Sequence, residues 1–112
     1  MDPIRRVTAP MVDVLEALLA GTEPTWGLLV IKATGRPPGT VYPILERLER
    51  QGWIRSTWDD DPDRSGPRRR LYEFTVDGAV AARALVDARV REDRAAVRSA
   101  GVTLPTTRPV VR

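Results

Sequence analysis

The segment 37–52, reading PPGTVYPILERLERQG, constrains the fold more than any other stretch of the chain. Val41, Ile44, Leu45 and Leu48 stand at i, i+3, i+4 and i+7, a full apolar stripe along one helix. A stripe of that width has to lie on a core. The other side carries Pro43, Glu46, Arg47 and Arg50, with Thr40 and Tyr42 flanking at the amino-terminal end. Pro43 limits where the helix begins, because proline is tolerated where its missing N–H would be unpaired anyway. Thr40 as N-cap puts Pro43 at the third helical position, and Gly52 ends the helix.

Two more helices are expected before this one. Over residues 9–20, Met11, Val14, Leu15, Leu18 and Leu19 recur at helical spacing, and Gly21 supplies a stop. Thr25 is the expected cap of a second helix reaching Thr34, with Gly35 as its carboxyl-terminal signal. Gly27 inside that helix costs on the order of 1 kcal/mol relative to alanine. Close packing against a neighbouring helix is the expected reason for it. After the third helix, residues 53–58 and 69–75 alternate like two strands, joined by a loop rich in Asp, Pro and Gly.

From Val76 the helical period returns. Thr75 is the expected N-cap, and the helix reaches about Ala100, roughly 37 Å at 1.5 Å per residue. Val86, Val90 and Val97 keep a seven-residue seam. A helix of this length extends past a small core, so its distal half is expected to meet a second copy. Residues 101–112 carry Pro105 and Pro109 and no period, and are expected to be a disordered tail.

At 112 residues the chain is one domain with a modest core, which oligomerisation would supplement. It contains neither Cys nor His. That removes disulfides, thiolate chemistry, a Ser-His or Cys-His arrangement and a conventional zinc site. No nucleophile–base pair or phosphate-cradling glycine loop is seen either, so an enzyme is not expected, nor any cofactor. The formal net charge is +3 and the isoelectric point about 10.2, which favours a polyanionic partner. Apart from Lys32, every basic residue is an arginine. Arginine reads guanine and grips phosphate through a planar fork, although a GC-rich genome would also encode it freely. No apolar run approaches the roughly 20 residues needed to span a membrane. With no charged-then-apolar leader, a cytoplasmic location is expected.

Three helices, a hairpin and a long helix give a mostly α, α+β fold. The order is that of a winged helix-turn-helix: a three-helix core, a two-stranded β wing and a long carboxyl-terminal dimerisation helix. Residues 1–75 would form the DNA-binding unit and 76–100 the dimerisation helix. The chain then resembles the PadR family of bacterial transcriptional regulators. The matching residues are Gly39-Thr40-Val41-Tyr42-Pro43 with Leu45, Leu48, Glu49 and Gly52, then Gly66-Pro67-Arg68-Arg69, Tyr72, Thr75 and Gly78. The resemblance covers roughly residues 11–90. It implies a dimeric repressor that binds an inverted repeat near a promoter and releases it on a small-molecule or stress signal. The length fits the subgroup with a single carboxyl-terminal helix. Two departures stand out: Leu28 follows Gly27 where the family often has an aromatic, and the wing reads Leu71-Tyr72 where paired tyrosines are common.

The expected DNA contacts are Thr40, Tyr42, Arg47 and Arg50 on the third helix and Arg64, Arg68, Arg69 and Arg70 on the wing. Each has a plainer reading. Tyr42 either donates to a phosphate, as the family implies, or packs half-buried beside the stripe. Thr40 either caps or contacts DNA. Arg50 either contacts DNA or pairs with Glu46 at i,i+4. The wing arginines share their loop with Asp59, Asp60, Asp61 and Asp63, which could pair with them or hold a hard cation weakly; no specific metal site is expected. Met11, Leu15, Leu85, Val86, Arg89, Val90 and Val97 are the expected dimerisation residues. Trp53 and Trp58 read as core or hairpin packing, which leaves Trp26 as the ligand candidate for a small-molecule effector. The alternative to a DNA-binding regulator is a winged helix that docks a protein partner without touching DNA.

Overall fold

Thr8 starts the first helix by capping it, its Oγ1 accepting from the Met11 N–H at 3.3 Å. In the computed structural model, which describes residues 1–21, 24–59 and 69–99, this is α1, Ala9–Ala20. It is followed by β1 (Thr25–Trp26), α2 (Gly27–Thr34), α3 (Pro38–Arg50), β2 (Ile54–Asp59), β3 (Arg69–Phe74) and α4 (Val76–Ser99). The fold is an α+β winged helix.

Two caps differ from the sequence expectation. Thr25 does not start α2. With Trp26 it forms β1, which pairs antiparallel with Tyr72 and Leu71 of β3. The wing sheet is therefore three-stranded, in the order β1-β3-β2. Thr40 does not cap α3 either. Pro37 and Pro38 fix the backbone three residues earlier, with Pro37 as N-cap and Pro38 at the first helical position. Thr40 lies within the first turn, its N–H bonded to the Pro37 carbonyl at 2.9 Å. Pro43 then falls inside the helix, where it withholds the bond that would reach the Gly39 carbonyl.

The other ends follow the sequence. Gly35 closes α2 in the left-handed region, φ 71°, its N–H on the Ile31 carbonyl. Gly52, φ 82°, closes α3. There the Trp53 N–H reaches the Leu48 carbonyl at 2.9 Å and the Gly52 N–H reaches that of Glu49 at 3.1 Å. This is the paired bonding of a Schellman turn, and it sends the chain straight into β2. Thr75 caps α4 by accepting from the Gly78 N–H at 3.0 Å. Its hydroxyl also lies 2.9 Å from the Gly52 carbonyl. The start of α4 is thereby tied to the end of α3.

Val41, Leu45 and Leu48 of the predicted stripe are fully buried, against Met11, Val14 and Leu15 of α1 and Val30 of α2 in one core. Trp53, Ile54, Tyr72, Ala82 and Val86 extend that core beneath the sheet and the first half of α4. Val86 is the last buried residue of α4; from Asp87 to Ser99 the helix runs on without one. At 1.5 Å per residue that projection is about 20 Å long. Among the described residues no helix is long and apolar enough to cross a membrane.

Candidate nucleic-acid interface

The α3 helix buries one face and exposes the other. Gly39, Pro43, Glu46 and Arg50 form the exposed ridge, and Arg47 is exposed beside it. Arg47 and Arg50 have no carboxylate within ion-pair distance among the described residues, so the Glu46–Arg50 pair does not close. Their guanidinium groups are available to an external anion. Thr40 is half-buried.

Tyr42 is 41% exposed, and its ring lies against Gly27 of α2. A Cβ placed on Gly27 would stand 2.7 Å from the Tyr42 hydroxyl oxygen and 2.8 Å from Cζ. Gly27 therefore allows the close approach of the two helices of the helix-turn-helix. The turn between them is tied to α1 by the Arg36–Asp13 ion pair at 2.8 Å.

The wing arginines divide. Arg64 and Arg68, with Asp60, Asp61 and Asp63, lie outside the described residues. Arg69 places its guanidinium 4.0 Å above the centre of the Trp26 ring, a cation–π contact that fastens β3 to the start of α2. Arg70 reaches back to the recognition helix. Its Nη2 lies 3.2 Å from Glu49 Oε1, and its Nε donates to Ser56 Oγ at 3.0 Å. Ser56 in turn donates to the Glu49 carboxylate. Arg70 also stands 5.6 Å over Trp58, which is half exposed. This Glu49–Ser56–Arg70 network joins α3, β2 and β3. Sequence spacing did not reveal it, because its members are 7 to 21 positions apart and come together only once the sheet forms. Nearby, burial raises the pKa of Tyr72, an effect the Arg70 guanidinium partly offsets.

The remaining predicted residues fall into two groups. Met11 and Leu15 are 1% and 0% exposed inside the single chain, so they support α4 from within and offer no surface to a second copy. Val86 is also buried, whereas Leu85 and Arg89 are partly exposed and Val90 is 40% exposed. Val97 lies further along the projecting half of α4. Trp26, the ligand candidate, has a ring face covered by Arg69. A cavity of about 200 Å³ lies close by, lined by Leu18, Pro24, Thr25, Tyr72 and Phe74, without Trp26. Trp53 is core, and its indole N–H donates to the Asp2 carbonyl at 2.6 Å.

Solved structures with the same architecture include bacterial regulators. PcaV from Streptomyces coelicolor, a transcriptional regulator solved with its natural ligand, superimposes with a TM-score of 0.69 at 24% identity, over 85% of this chain and 64% of its own. The chain thus spans less than two thirds of that regulator. BpsR of Bordetella bronchiseptica, whose DNA binding is regulated by 6-hydroxynicotinic acid, matches with a TM-score of 0.64 at 28% identity, over 94% of this chain and 74% of its own. A PadR-like transcription factor from Bacteroides fragilis matches with a TM-score of 0.61 at 26% identity, over 80% of this chain and 88% of its own. No curated protein matches by sequence. Residues 14–84, from α1 to the first turns of α4, match the transcriptional regulator PadR-like family, and the chain belongs to that family.

Proposed function

We propose that this protein is a homodimeric repressor that binds an inverted repeat in double-stranded DNA near a promoter. The observation that carries this reading is the pair Arg47 and Arg50, exposed and without carboxylate partners among the described residues, on a helix whose opposite face packs on the core through Val41, Leu45 and Leu48. Such a helix can present Arg47 and Arg50 to a major groove. Arginines on it and on the wing neutralise phosphates, which makes affinity fall with salt. Family membership supports the regulatory role.

The dimer rests on the projecting half of α4, which carries Arg89, Val90 and Val97, with the partly exposed Leu85 just before it. Two copies joined there would set their recognition helices one helical turn apart, about 34–36 Å. A small-molecule effector would act by changing the angle between the two α4 helices. Regulation by a small aromatic acid in the Bordetella relative supports this part of the reading.

Fluorescence anisotropy on the gene's own upstream DNA and on a scrambled duplex, each across a salt series, tests the proposal. Tighter binding to the upstream DNA, with two protomers per site, is expected. Equal and weak binding to both would replace it with a winged helix that serves a protein partner.

A further inference from the structure

The two edges of α3 are bounded differently. On one edge Tyr42 packs on α2 and Glu49 on the wing. On the other, Arg47 and Gln51 stand at i,i+4, and the amino-terminal segment 2–6 lies along them. That segment is held by its backbone. The Asp2 N–H donates to the Gln51 carbonyl at 2.8 Å, and the Asp2 carbonyl accepts from the Trp53 indole at 2.6 Å. Between the segment and α3 is a cleft of about 510 Å³ lined by Asp2, Arg5, Arg6, Arg47 and Gln51.

Arg5, Arg6 and Arg47 are exposed, and none has a carboxylate within ion-pair distance among the described residues. Among the described residues, the Asp2 carboxylate is the single negative group lining the cleft. The Gln51 side-chain oxygen is buried without a hydrogen-bond partner. The cleft thus brings three cationic forks, Arg5, Arg6 and Arg47, to one side of α3.

We infer that Arg5, Arg6 and Arg47 clamp a backbone phosphate of the DNA on the side of α3 away from the wing. The inference rests on the DNA-binding reading above. A major groove is about 12 Å wide and is walled by two phosphate strands. A helix lying in it has one strand at each edge. The wing adjoins α3 at one edge through Glu49, and the amino-terminal segment brings Arg5 and Arg6 to the other. Contacts of this kind fix register and add affinity without reading sequence.

The test uses a 30-base-pair duplex of random sequence, which reports the phosphate contribution and needs no known operator. Anisotropy titrations across a salt series would compare the wild-type chain with R5A/R6A, R5K/R6K and R91A/R98A. The last pair removes the same charge from an exposed side of α4. Each phosphate contact adds about 0.9 to the slope of log K against log salt. R5A/R6A should flatten the slope by up to about one unit per protomer, while R5K/R6K and R91A/R98A keep it. An unchanged slope in R5A/R6A, or an equal loss in R91A/R98A, overturns the clamp and leaves DNA binding standing. A wild-type chain with no salt-dependent binding removes both.

Discussion

Gly27 is worth more to this fold than its missing side chain suggests. Gly27 is the first residue of α2 rather than an interior one, and its bare Cα admits the Tyr42 ring. The sequence pointed to a close helix–helix approach at this position, and the structure supplies the partner. G27A should destabilise the chain by about 1–3 kcal/mol, the usual cost of overpacking, read as a lower midpoint in denaturant. Adding Tyr42→Ala should recover part of that loss, because the clash has one owner. A double variant no more stable than G27A would mean that Gly27 serves some other end. Caps were less legible at this scale. Thr25 and Thr40 are ordinary cap residues, but a strand partner claimed the first and the Pro37-Pro38 pair pre-empted the second.

At the scale of elements, helical periodicity was enough to locate α1, α3 and α4, since each buries a stripe on the same core. The two-residue β1 carries no period, and nothing local distinguishes it from a loop. The Glu49–Ser56–Arg70 network was equally hidden, because it depends on the register that sets Ser56 opposite Tyr72 and Trp58 opposite Arg70. Its consequence is functional. Glu49 holds Arg70 against the recognition helix and adds negative charge beside it. E49Q should release that arginine and remove a repulsive carboxylate, steepening the salt slope of DNA binding by about one unit and tightening binding at low salt. Weaker binding in E49Q would show instead that the network's main task is to aim the wing.

The whole molecule is shaped by the mismatch between a small core and a long last helix. Periodicity gave the length of α4, and burial shows where its support within one chain ends, at Val86. Met11 and Leu15 share the apolar pattern of interface residues, yet a core and an interface draw on the same residue types, and only the packed chain separates them. The expected wing tip with Arg64 and Arg68 and the tail 101–112 lie outside the described residues. Val90 is the most direct probe of the projecting half. V90D should shift the chain from dimer to monomer in sedimentation equilibrium while leaving its far-UV circular dichroism unchanged. It should also weaken binding to upstream DNA at least tenfold, since each half-site would then be held alone. A V90D chain that sediments as the wild type does would move the dimer contact elsewhere.

The central claim is that two copies of α3 read two half-sites from one face of a duplex. Hydroxyl-radical footprinting on the gene's upstream DNA tests it directly. The account predicts two protected patches related by a dyad, their centres separated by about 10–10.5 base pairs or a whole multiple of that. A single protected patch, or two at a half-integral number of turns, would contradict it.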